Sequence, residues 1–151
     1  SVYIPDGVRS IYYRAFKNCT NLKSVRLPAD IFSVEHDAFD GCANLADENG
    51  FVIINNTLYT YFGDAEVVTI PEGVTEIGDG VFCEKYGVKE IFLPENLKKI
   101  GYITLDNPSS ILLYASTFED KDAIADLISA YNDSGKPALS YFKRAFWKLS
   151  D

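Results

Sequence analysis

Stretches of this chain can be laid over one another at a fixed spacing, and that self-similarity limits the fold more than any other feature. Ile4-Pro5, Val8, Ile11, Ala15-Phe16, Cys19 and Asn21-Leu22 return 23 residues later as Leu27-Pro28, Ile31, Val34, Ala38-Phe39, Cys42 and Asn44-Leu45. The pattern recurs at Ile70-Pro71, Val74, Ile77, Val81-Phe82 and Val88, and after another 23 residues at Leu93-Pro94, Leu97, Ile100 and Ile111. A unit this short cannot bury its own apolar face, so successive units must stack and share a core. Stacks of this kind offer a repeated surface, which points to binding before catalysis.

Within a unit, the alternation in Val25-x-Leu27 and Ile91-x-Leu93 turns two aliphatics to one face, as a half-buried strand requires. The proline that follows lacks a ladder donor and ends the segment. Val8 and Ile11, three apart, begin a second wall, and the Ala-Phe pair packs a ring at the far turn with Ala leaving room beside it. The expected core therefore includes Val25, Leu27, Ile70, Ile91, Leu93, Phe16, Phe39 and Phe82. The same alternation sends Tyr3, Arg26, Thr69, Phe92 and Ala115 outward, with Arg26 and Phe92 expected on one sheet. These outward positions are the candidate ligand-binding residues, since exposed aromatics and arginine are enriched at interaction hot spots.

The spacing widens to 43 between Leu27 and Ile70, so about 20 residues are inserted near 47–66. Two strand-prone runs there, Phe51 to Ile54 and Thr57 to Phe62, flank Asn55-Asn56, and asparagine tolerates the positive φ of a tight hairpin turn. The aromatic residues of this hairpin, Tyr59 and Tyr61 among them, either form a binding prong that extends the strand face or cover one flank of the stack. After Tyr114 the pattern becomes helical. Ser116 or Thr117 can cap a helix in which Ile124, Leu127, Ile128 and Tyr131 make an apolar stripe. Pro137 suits the first turn of a second helix lined by Leu139, Phe142, Phe146 and Leu149. These helices are expected to cap the open end of the stack, with Lys136, Lys143, Arg144 and Lys148 on a solvated face or against a neighbouring domain.

The run from Leu22 through Val25-Arg26-Leu27-Pro28, Ile31 to Val34 and Ala38-Phe39-Asp40-Gly41-Cys42 resembles the BspA-like leucine-rich repeats, over roughly residues 1–116. The resemblance implies a mainly β repeat solenoid with coils of about 23 residues, a β-hairpin insert and a C-terminal helical cap, all in one leucine-rich-repeat domain spanning 1–151. It also implies a non-enzymatic, secreted or cell-surface protein of host-associated microbes, of a family often linked to adhesion with differing ligands; the expected partner is a protein or glycan, host extracellular ones included.

Composition narrows the alternatives. With 47% hydrophobic and 24% charged residues the chain reads as a soluble globular protein. It has no run of about 20 apolar residues that would insert in a membrane. The formal charge of −8 argues against nucleic acid or an anionic membrane as partner, both of which need a dense basic face. The chain opens at Ser1 inside a strand motif and holds no methionine, as expected of a processed chain or an excised segment. Its first rung is then expected to expose an unpaired edge that self-associates.

Three cysteines make no disulfide framework. Cys19 and Cys42 share a repeat position and are expected as free thiols in a core-facing ladder, with Cys83 outside it. The sole histidine, His36, sits between Glu35 and Asp37, which would suit acid-base chemistry. The repeat frame instead equates it with Tyr13, Asp79 and Tyr102 at a variable turn, and so places it outside. One histidine among scattered carboxylates does not cluster as a zinc site requires, and no phosphate-binding or calcium-binding loop is present. Asn18-Cys19-Thr20 and Asn55-Asn56-Thr57 match the N-glycosylation pattern, which matters only in a eukaryotic secretory pathway. No catalytic constellation or cofactor is expected. Two functions remain, a binding module that presents its strand face and a spacer that binds nothing.

Overall fold

The computed structural model describes residues 1–82, 85, 87–101 and 112–114. The expectations for Cys83, Ala115 and the helical region 117–151 lie outside them. The described chain is almost entirely short strand and turn, with one 3-10 turn at Ala43–Leu45.

Strands of successive coils pair in parallel, each residue beside its repeat equivalent. β1 (Val2–Tyr3) and β2 (Ser10–Ile11) come from the first coil, β3 (Val25–Arg26) and β4 (Ser33–Val34) from the second. Val2 pairs with Val25 and Ser10 with Ser33, the 23-residue register of the sequence repeat. Later come β5 (Phe51–Ile54), β6 (Thr57–Tyr61), β7 (Val67–Thr69), β8 (Glu76–Ile77), β9 (Glu90–Phe92), β10 (Lys99–Ile100) and β11 (Leu112–Tyr114). The same register joins β7 to β9 and β8 to β10, while β9 to β11 is one residue shorter, Glu90 facing Leu112.

The turns repeat as faithfully as the strands. Ala15, Cys19 and Leu22 donate their N–H groups to Tyr12, Phe16 and Cys19, and Ala38, Cys42 and Leu45 repeat those bonds 23 residues on. Arg14, Asp37 and Gly80 occupy one repeat position, and all three have positive φ, 59°, 58° and 71°. The turn demands left-handed backbone, which glycine meets without cost and Arg14 and Asp37 only with strain. Exposed ion pairs also follow the register: Lys17 with Asp40 at 2.7 Å, Arg14 with Asp37 at 3.6 Å and Lys89 with Glu66 at 2.6 Å. Each contributes little in water, on the order of 0–1 kcal/mol, but all favour like beside like.

The apolar side chains gather into two clusters. One holds Ile11, Leu22, Leu27, Ala38, Phe39 and Cys42, with Val25 and Phe16 packed against it half-buried. The other holds Leu58, Tyr61, Ile70, Ile77, Phe82, Ile91 and Leu93 among others. Phe16 stacks on Phe39 with centroids 5.6 Å apart and planes 6° from parallel, as the repeat requires.

The cysteines depart from the expected ladder. Cys42 is fully buried, and its thiol donates to the Phe16 carbonyl at 2.9 Å. Cys19, at the same repeat position, is exposed. Cys42 lies beneath the first coil, with the Phe16 carbonyl over its thiol. Both are free thiols.

Candidate functional site

Tyr3 and Arg26 are register partners on β1 and β3, and both are exposed. The Arg26 guanidinium carbon sits 5.4 Å from the Tyr3 ring centre, a cation–π approach that holds both side chains over the sheet. Thr69 and Phe92 are register partners in the same way on β7 and β9, with Thr69 exposed and Phe92 half-buried. The two pairs do not share a sheet, contrary to the expectation for Arg26 and Phe92. β1 and β3 form a two-stranded sheet, and β7, β9 and β11 a separate three-stranded one.

The segment between them explains the break. β5 and β6 pair antiparallel around Asn55 and Asn56, whose φ angles of 49° and 63° are those of a primed two-residue turn. β6 pairs in parallel with β8, and β5 occupies its other edge, so β4 has β2 as its sole strand partner among the described residues. Ile53 faces Leu58 and Val52 faces Thr60, which makes Tyr59 the extra residue of a β-bulge.

That bulge resets the alternation and overturns the expectation that Tyr61 extends an exposed face. Tyr61 is 3% exposed and packs between Phe51 and Phe82, with ring centres 5.0 and 5.7 Å away. Tyr59 is half-buried and meets Phe39 edge-on at 5.8 Å. Burial pushes its phenol above the ordinary value, against a smaller opposing effect from a Thr57 hydrogen bond. The two tyrosines therefore splice the interrupted Phe stack: Tyr59 continues it from Phe39 and Tyr61 resumes it at Phe82. Asn55 adds a polar tie, its side-chain amide donating at 3.4 Å to the carbonyls of Leu27 and Pro28.

At this seam lies an open groove of about 270 Å³. One wall is the β4 coil, with Phe32 and Ser33; the other is the β6–β8–β10 sheet. Thr57, Glu76 and Lys99, in register across that sheet, contribute one row of lining. Two residues further on come Tyr59, Gly78 and Gly101, the glycines just past β8 and β10, with Tyr59 and the Leu58 carbonyl over Gly78 and Asp79 over Gly101. Phe32 stands at the rim with 85% of its surface exposed. The groove was not foreseen from sequence, although Phe32 falls at a repeat position where Arg9, Thr75 and Lys98 signal solvent.

His36 is exposed, as its turn position implies, with its ring 4.6 Å from that of Tyr13. The Tyr13 ring also receives Arg14 at 4.4 Å, and the Tyr13 N–H donates to Glu35 at 2.9 Å. Its environment is thus a solvent-facing turn, while the buried Cys42 thiol is engaged with Phe16. Among the described residues no three His, Cys, Asp or Glu side chains converge to hold a metal ion, and no helix is long and apolar enough to cross a membrane.

Parallel strands that pair, coil after coil, at or within one residue of the 23-residue repeat outside the inserted hairpin define a repeat protein built of short β coils. A family model described as the BspA type leucine rich repeat region matches residues 1–112 in six copies, and the chain belongs to that family. No curated protein and no solved structure matches it.

Proposed function

We propose that this chain is a non-enzymatic binding module of a secreted or cell-surface protein, engaging a protein or glycan through outward positions on its strands. The observation that carries this reading is the Tyr3–Arg26 pair, an aromatic and a cation held side by side and exposed on β1 and β3. Tyrosine and arginine are over-represented where binding energy concentrates, because each presents large contact area with little entropy to lose. Thr69 and Phe92 supply a second patch further along the stack, and Tyr59 borders the seam. Tyr61, buried, is withdrawn from the site. In this reading the coils of 1–116 form one continuous solenoid with the hairpin inserted, and 117–151 a helical cap, all in a single domain.

The alternative is a spacer that holds other domains apart and has no ligand. The test is a Tyr3→Ala/Arg26→Ala double variant, checked for unchanged melting and compared with wild type for retention on immobilised extracellular-matrix proteins and glycans. Loss of retention by the variant supports the site. Equal retention refutes the assignment of these residues, and absence of binding by wild type favours the spacer.

A further inference from the structure

The groove at the seam lies on the other wall of the coils from Tyr3 and Arg26, and its chemistry differs from theirs. We propose that it is a second site, for a neutral saccharide of one to a few rings. The inference rests on the reading of the chain as a binding module but on neither the Tyr3–Arg26 pair nor the Thr69–Phe92 patch.

Size limits the ligand first. A volume of about 270 Å³ falls just below the roughly 300–1,000 Å³ of sites that take drug-sized molecules. It suits a sugar unit with the rest of a glycan trailing into solvent.

The lining then selects the chemistry. Gly78 and Gly101 lie just past β8 and β10, and the space a side chain would take there is already filled, by Tyr59 and the Leu58 carbonyl at Gly78 and by Asp79 at Gly101. The floor of the groove is therefore closed, and a ligand ring must seat on an aromatic face instead. Phe32, which lines the same groove and is 85% exposed, is an apolar plate that no part of the described structure covers. A pyranose has the matching duality, with one face of C–H groups for an aromatic ring and a rim of hydroxyls for polar partners. The Ser33 hydroxyl already donates to Ser10 and the Asn55 amide to Leu27 and Pro28, so their oxygens, with Thr57 and the Glu76 carboxylate, are left to accept from sugar hydroxyls, and Lys99 is the donor that lines the groove. Together they offer both donors and acceptors, as a hydroxyl needs.

Charge rules out the nearest competitors. Lys99 lies 3.9 Å from Glu76, so that carboxylate has its counter-charge within the groove. Asp79 also has an interaction partner of its own. The groove therefore presents no unmatched cation to an acidic sugar, and the formal charge of −8 repels anions at longer range. An extended peptide adding to the sheet edge would find only the two residues of β4 to pair with, too short a ladder for main-chain recognition.

The experiment is saturation-transfer NMR of the whole chain with lactose, mannotriose, maltotriose, chitotriose and, as the anionic probe, sialyllactose. At least one neutral sugar should bind wild type. Phe32→Ala, a change at an exposed position, should weaken that binding roughly tenfold, the loss of about 1.4 kcal/mol of ring contact. Lys99→Ala should weaken it as well, while Tyr3→Ala/Arg26→Ala should leave it unchanged. Binding of none of the neutral sugars, preference for sialyllactose, or full retention in both Phe32→Ala and Lys99→Ala overturns the proposal. Loss confined to Tyr3→Ala/Arg26→Ala also overturns it, and leaves the strand-face reading standing.

Discussion

Replacing Phe39 with Ala removes the ring on which the first apolar cluster is built. Phe39 is 2% exposed and lies between Phe16, stacked at 5.6 Å, and Tyr59, edge-on at 5.8 Å. A buried phenylalanine cut to alanine costs about 3–5 kcal/mol, the lost transfer energy plus a cavity that the neighbours fill only in part. The upper part of that range is expected here, because Phe16 and Tyr59 come from segments fixed by their own hydrogen bonds. Phe16→Ala is the internal control. Its ring holds the same repeat position but is half-buried, so its truncation should cost about half as much. Equilibrium urea unfolding of wild type and both variants measures the difference, provided the slope with denaturant is unchanged. A loss under about 1 kcal/mol for Phe39→Ala, or a larger loss for Phe16→Ala, would refute the stacked core.

Gly41→Ala should destabilise by about 1–3 kcal/mol, since Gly41 has φ +73° and an added Cβ would meet the Asn18 side-chain oxygen; thermal melting reads this, and an unchanged midpoint counts against the turn geometry. Thiol labelling of native protein followed by peptide mapping should modify Cys19 quickly and Cys42 only after denaturation, the order set by their exposure. Burial pushes the Cys42 thiol above its ordinary value of 9.0 and the Tyr59 phenol above 10.0. Both groups then hold their protons longer in the folded protein than in the unfolded chain. Their contribution is complete below pH 9.0 and is lost as pH rises through the folded values. Cys42→Ala should remove the earlier part of that loss in denaturant titrations from neutral to alkaline pH, and an identical pH profile for the variant would contradict it.

The features legible in the sequence are those that periodicity carries. Equivalent residues such as Ser10 and Ser33 pair because a repeat places like beside like, and the inward aliphatics Leu27, Ile70, Ile91 and Leu93 are all buried. Asn55 and Asn56 reveal the turn because few other residues accept its φ. Two identical motifs do not distinguish exposed Cys19 from buried Cys42. Nor does alternation foresee a bulge: one unpaired residue, Tyr59, turns Tyr61 from the expected surface into the core. The separation of Arg26 from Phe92 follows from the same segment, because β5 takes the edge of β6 that the β4 coil would otherwise meet. The groove arises from that substitution, and nothing local to Phe32, Thr57 or Glu76 encodes it.

The account depends on coils stacked in one fixed register, and a cross-link tests that register most directly. Ser10 and Ser33 face each other on β2 and β4 with their hydroxyl oxygens 3.0 Å apart. Neighbouring strands lie about 4.8 Å apart, within the Cα window of a disulfide, and here the side chains point at each other, unlike the free pair Cys19 and Cys42, where the Cys42 thiol turns to the Phe16 carbonyl. The variant Ser10→Cys/Ser33→Cys, oxidised under native conditions and mapped by mass spectrometry, should show a bond between the two introduced thiols. The off-register variant Ser10→Cys/Glu35→Cys should show none. A bond in the second and not in the first would contradict the stacking of like on like from which both proposed sites derive.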